Sequence, residues 1–212
     1  MDFFDDKINK MNFSFQENPK PIDNEYYDRI LIGTGSVGLG LNFAAIVEQP
    51  ESKMAFHLRF IKLNPNKDVF TSYQTDSCNI LNYNAQWSNR RFTDVIHVRA
   101  MEYKGLGFGR LAYRVLVHWF GTTLYDKLDR GGCYFDDDSD NYATVIHHPS
   151  SVALIDAVKQ SFSAKMYREY LHLVPSSVNM DLGRIYVEFE KETDKESVAR
   201  VISFKNYFRM QG

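Results

Sequence analysis

Residues 102–110 read Glu-Tyr-Lys-Gly-Leu-Gly-Phe-Gly-Arg and stand between two runs of different period. Upstream, Phe92-Thr93-Asp94-Val95-Ile96-His97-Val98-Arg99 is rich in β-branched residues and predicts a largely buried strand. Downstream, Leu111, Val115 and Trp119 recur at every fourth position beside Ala112, Leu116, Phe120 and Leu124, an apolar stripe of helical period. Gly131 and Gly132, just after Lys127 and Arg130, predict where that helix stops. A glycine turn entering a helix can gather several backbone N–H groups in one concavity, because glycine adopts positive φ cheaply and carries no side chain to obstruct a ligand. The positive end of the helix dipole adds to the attraction, so the arrangement suits a diphosphate.

Working outward, residues 28–63 contain three apolar runs, Ile30–Ile32, Leu41–Val47 and Met54–Leu63. The third alternates between two faces and predicts a strand, with a turn at Gln49-Pro50-Glu51-Ser52 before it. Residues 1–27 are polar, carry Pro19 and Pro21, and predict an N-terminal arm or a short helix lying on the body. Residues 64–91 are rich in asparagine and predict a long polar excursion, of a length that is often functional in compact domains. A strand is expected at Tyr142–Ile146. A second helix is expected over Ser151–Met166, with Ile155, Val158, Phe162 and Met166 inward and Ser150 or Ser151 as its cap. Arg184–Glu190 alternates as a strand, and the tail from Ser197 to Met210 is basic and amphipathic. Together these elements predict a single α/β (α+β) domain over 28–212, with a mixed, mainly antiparallel sheet flanked by helices.

Composition bounds the function. A chain of 212 residues has room for one well-buried core. Its net charge of −2 provides no field for nucleic acid or acidic lipid. Two cysteines, Cys78 and Cys133, without a CxxC pair, make neither a disulfide framework nor a zinc cage. The N-terminus lacks the basic and apolar regions of a secretory signal, and no apolar run reaches the ~20 residues of a membrane helix, so a cytoplasmic protein is expected. No metal site is expected: Asp136–Asp140 lacks the spacing of a calcium loop, and His147 and His148 would point to opposite faces of a strand. Tyr83, Trp87 and Phe92 around Arg90 and Arg91 suit packing better than base stacking.

A second glycine motif competes for a cofactor. Gly33-Thr34-Gly35-Ser36-Val37-Gly38 satisfies GxGxxG and follows the strand-like Arg29–Ile32, which would suit a nicotinamide- or flavin-dependent oxidoreductase. That fold needs a helix over Gly38–Glu48, where Leu39, Leu41, Phe43, Ala45 and Val47 instead alternate. It also needs an acidic residue near positions 61–64, where the chain has Ile-Lys-Leu-Asn.

The turn at Lys104-Gly105-Leu106-Gly107-Phe108-Gly109, preceded by Glu102-Tyr103, resembles the acyl-CoA-binding signature of the GNAT superfamily of N-acyltransferases, with Lys104 where Arg or Gln is usual. The resemblance is close over about twenty residues and looser in the order of elements from 28 to 190. It implies an acyl-CoA cleft between splayed central strands, with Tyr142–Ile146 as the second of the pair. Acetyl-CoA would be the acyl donor and an unidentified amine, of a small molecule or a protein, the acceptor. The backbone N–H groups of Leu106, Gly107, Phe108, Gly109 and Arg110 would hold the pyrophosphate, with Lys104 and Arg110 as added cations. Val98 and Arg99 would offer main-chain groups to the pantetheine arm.

The resemblance also requires a base and an acid. His97 is a candidate base, since an imidazole titrates near neutrality; Asp94 and Glu102 are alternatives, although a strand histidine is more often a packed one. Many members protonate the leaving thiolate with a tyrosine. Ala157 aligns with that position, leaving Tyr167 and Tyr170 nearby. A non-enzymatic binding or structural protein on the same fold therefore stays open, as does a homo-oligomer.

Overall fold

A computed structural model of the chain describes residues 11–22, 29–38, 40–48, 55–74, 79–88, 91–98, 101–121, 124–125, 128–129, 132–135, 151–181 and 184–192. They are mixed α and β, with mainly antiparallel pairing. Two compact units result, one within Met1–Gln86 and Asp94–Ala112, the other within Trp87–Thr93 and Tyr113–Gly212.

In the first unit β1 (Met11–Pro21), β2 (Arg29–Val37), β3 (Leu41–Glu48), β4 (Ala55–Lys62) and β5 (Asn79–Ser88) pair in chain order, each antiparallel to the last, and β6 (Arg91–Val98) follows β5 in the sheet. Two expectations are corrected here. Residues 11–21 are a strand rather than an arm or helix: Phe13 and Phe15 are half-buried while Asn12 and Ser14 are exposed, an alternation that Pro19 and Pro21 cut short. The stretch 64–91 is not a structureless excursion but holds a short helix, α1 (Val69–Tyr73), and all of β5. Asparagines disguise β5, yet Leu81, Tyr83 and Ala85 are buried between half-buried Asn82 and Asn84. Tyr83 packs on Phe56, its ring centroid 6.2 Å away.

Alternation gives this sheet two apolar faces. Phe43, Ala45 and Val47 of β3 lie level with Phe60 and Leu58 of β4 on one face, all fully buried. On the other, Ala44, Ile46 and Ile61 form a core against which Ile22, Leu31, Leu63, Val69 and Tyr73 pack. Asp68 caps α1 by accepting from the Thr71 N–H at 2.7 Å. The far end of α1 is tied down by Tyr73, whose hydroxyl donates to Glu48. Arg59 and Arg29 approach the same carboxylate at 3.2 and 3.7 Å, with guanidinium carbons 5.5 and 5.0 Å from the Tyr73 ring centroid. Burial, and then the hydrogen bond to Glu48, push the Tyr73 phenol well above its ordinary range.

Helix α2 (Phe108–Phe120) buries Leu111, Ala112, Val115 and Leu116 and exposes Arg114, as its stripe predicts. It ends ten residues earlier than Gly131-Gly132 would place it. Gly121 adopts φ 47° and closes the last turn with its N–H on the Val117 carbonyl at 2.8 Å, while Leu124 and Leu128 are buried in further helical turns.

In the second unit β7 (Cys133–Phe135) pairs parallel to the start of β6, Phe92 opposite Cys133 and Thr93 opposite Tyr134. It pairs antiparallel to β9 (Arg184–Lys191), which pairs antiparallel to β8 (Leu173–Asp181). The strand beside β6 thus lies at Cys133–Phe135, and the one expected at Tyr142–Ile146 falls outside the described residues. One expected helix is two, α3 (Ser151–Gln160) and α4 (Phe162–Leu171). Ser161 leaves the helical region and caps α4, its hydroxyl accepting from the Ala164 N–H at 3.3 Å. The interruption resets the phase: Ser163, Ala164, Met166 and Tyr167 turn inward, and Phe162, expected inside, is 43% exposed. Among the described residues no helix is long and apolar enough to cross a membrane.

Candidate functional site

The turn that follows β6 is built as its glycines require. Met101–Tyr103 make one 3-10 turn, and Gly105 and Gly107 then adopt φ of 72° and 94°, a region closed to most side chains. The Leu111 N–H reaches the Gly107 carbonyl at 3.0 Å, which makes Gly107 the N-cap of α2, a cap without a side chain. The next residue, Phe108, is 1% exposed, with its ring 4.9 Å from that of Phe43 and 5.6 Å from that of Phe60. Anchoring Phe108 in the sheet fixes where the helix begins. The N–H groups of Phe108 and Gly109 belong to the first turn, where a helix offers no carbonyl of its own.

Glu102, Lys104 and Gly105 are exposed on the rim of this turn, and Leu106, Gly107, Gly109 and Arg110 are half-buried. Within the expected amide set, the Leu106 N–H donates back to the Tyr103 carbonyl at 3.4 Å. His97 and Val98 are the last two residues of β6, so they and the turn fall in the same unit. Arg99 lies outside the described residues, as do Asp136–Asp140, His147 and His148.

Tyr167 belongs to the second unit. It is 1% exposed, with ring centroids of Tyr113 and Phe189 at 5.6 and 5.4 Å, and its hydroxyl stands 3.9 Å from the Cys133 sulfur. Ala157 is also buried.

No family model, curated protein or solved structure matches the chain. A helix start of backbone amides, stripped of side chains by Gly105, Gly107 and Gly109 and flanked by Lys104 and Arg110, favours a compact anionic group.

The stretch after the Gly33–Gly38 motif is a strand, as its alternation predicts. The motif's first residues lie inside β2, and the stretch that a dinucleotide fold needs as a helix is the antiparallel strand β3. The glycines have a packing reason instead. A Cβ on Gly33 would meet the Ser14 carbonyl and come 2.6 Å from Phe13 Cζ; one on Gly35 would meet the Asn12 carbonyl and come 2.6 Å from Phe43 Cζ. Aromatic rings of β1 and β3 lie across both positions, so the motif answers to strand packing.

A groove of about 500 Å³ lies at the polar end of the Ala44–Ile46 face, across β1, β2 and β3. Its signal is legible in retrospect: Asn12, Ser14, Thr34, Ser36 and Asn42 sit at alternate positions of neighbouring strands.

Proposed function

We propose that the protein is an acyl-CoA-dependent N-acyltransferase of the GNAT type, transferring an acyl group, by the resemblance an acetyl group, to an amine. The observation that carries this reading is the turn at 104–109: two glycines at positive φ followed by an anchored Phe108 that fixes the first amides of α2. Further support comes from the order of elements, since the signature turn lies between a strand and a helix and β6 neighbours the next long-range strand, β7.

The residues fit the coenzyme's charge. The amides of Gly107, Phe108 and Gly109 would hold the pyrophosphate, and Lys104 and Arg110 would neutralise it. Val98, at the end of β6, would offer main-chain groups to the pantetheine arm. Acetyl-CoA supplies an activated acyl carbon; the amine nitrogen bonds to it, the carbon–sulfur bond breaks, and the thiolate takes up a proton. His97 and Glu102 would be the candidate bases to remove the proton of the attacking ammonium. Tyr167, enclosed by Tyr113 and Phe189, is assigned to the core rather than to protonation of the thiolate.

Thermal unfolding with acetyl-CoA, NAD(H) and FAD tests the reading. A ligand at 100 times its Kd stabilises by about 2.7 kcal/mol. Acetyl-CoA alone should raise the melting temperature, and Gly107→Glu, which sets a carboxylate among the amides, should abolish the response. Release of free thiol on adding amines would then establish turnover, whereas a response to NAD(H) or FAD without one to acetyl-CoA would defeat the proposal.

A further inference from the structure

From the groove in the first unit we infer a second binding site, for a neutral, hydroxyl-rich ligand of the oligosaccharide class. The inference is independent of the acyl-transfer reading. The site occupies the sheet face opposite the one that receives Phe108: Asn42 precedes Phe43 in β3 and so points the other way.

Register builds it. Ser36 stands between Asn12 on β1 and Asn42 on β3, and Thr34 stands beside Ser14 in the next row. Strand spacing of about 4.8 Å and a repeat of about 6.8 Å between alternate residues lay these side chains out as a flat grid. Every one is a hydroxyl or an amide, able both to donate and to accept. Among the described residues none of them hydrogen-bonds the protein. Capacity of that kind matches a ligand whose own groups do both, which is the property of sugar hydroxyls.

The opposite wall is the segment from Leu63 to Val69, and it is held in shape. The Asn64 side chain accepts from the Asn66 N–H at 3.0 Å, and the Asp68 carboxylate is engaged by Thr71. Lys67 and Asp68 offset one another, so the groove has no net charge with which to select an anion. Leu63, Pro65 and Val69 add apolar surface against which the C–H face of a sugar ring can rest. A groove this open predicts weak, saturable binding.

The test is an amide-resolved NMR titration of the full chain with maltotriose, cellotriose and triacetylchitotriose, each up to about 10 mM, which covers the millimolar affinities expected. At least one should shift the Thr34, Ser36 and Asn42 amides saturably, and the shifts should persist in Gly107→Glu. Thr34→Val with Asn42→Ala removes two hydrogen-bonding groups from an exposed surface and should weaken binding about tenfold or more. The melting temperature of that variant, measured alongside, should stay unchanged. The inference is overturned if no saccharide gives saturable shifts, if the double variant binds as the parent does, or if inorganic phosphate saturates the same amides at lower concentration than any sugar.

Discussion

Replacing Gly35 by alanine adds one methyl group to the interior of a strand, a change that ordinarily helps. Alanine narrows the unfolded ensemble and should stabilise by about 0.4–1 kcal/mol where the backbone accepts it. Here the methyl meets the Asn12 carbonyl and lies 2.6 Å from Phe43 Cζ and 2.9 Å from Cε1. Neither neighbour yields easily. The carbonyl belongs to a paired strand, and the Phe43 ring is fully buried among Phe13, Phe60 and Phe108, with centroids at 5.9, 5.9 and 4.9 Å. Overpacking of this kind costs about 1–3 kcal/mol. The net expectation is a loss of about 1–2 kcal/mol, read as a lower urea midpoint at unchanged slope. For a chain of this size it corresponds to a melting temperature lower by about 3–6 °C. Phe43→Leu removes the offending ring atoms, so Gly35→Ala made in that background should cost less, with a coupling above about 0.5 kcal/mol. If Gly35→Ala alone proves as stable as the parent, ring packing is not why the motif is glycine.

Two further outcomes follow from the same unit. Phe108→Ala should destabilise by about 3–5 kcal/mol, and hydrogen exchange should show the amides of Leu111–Val115, the first that the helix itself protects, losing protection before those of β4. For Tyr73 the folded pKa lies above its ordinary 10.0, so the contribution is complete below pH 10 and is lost as pH rises towards the folded value. Urea unfolding from pH 8 upward should therefore show stability declining above pH 10 in the parent and much less in Tyr73→Phe. That variant should start about 1 kcal/mol lower at neutral pH for the missing hydrogen bond; equal alkaline slopes would refute the assignment.

What the sequence makes legible is what short-range physics controls. The passage from β6 through the glycine turn into α2 reads directly, because β-branched runs, positive-φ glycines and a helical stripe each declare themselves within a few residues. The alternation at 39–47 already speaks against a dinucleotide helix after the GxGxxG motif, and β3 agrees, but why the motif is glycine is not legible: what decides Gly33 and Gly35 is the position of Phe13 and Phe43 on neighbouring strands, which no local window contains. Strand β5 hides behind asparagines whose low strand propensity is overridden by burial of Leu81, Tyr83 and Ala85. A bulge also disturbs its alternation, since Phe60 faces Leu81 while Ile61 faces Asn79, leaving Ile80 over. The ends of helices are weakest: Gly121 stops α2 and Ser161 divides α3 from α4, single residues inside otherwise unbroken apolar patterns. Of the candidate site, the backbone part is legible, while the burial of Tyr167 depends on helix phase that Ser161 resets.

Strand β1 stands first in the strand order, and its second half carries Pro19, Lys20 and Pro21, where pairing with β2 is irregular between Phe15 and Lys20. Proline has no amide hydrogen to offer, and a lysine on a rim repels its own copy. Along that half, another polypeptide would find no regular ladder to extend. Replacing both prolines by threonine should restore two ladder donors to this half of the strand and make association at high concentration easier, seen as a rise in light scattering.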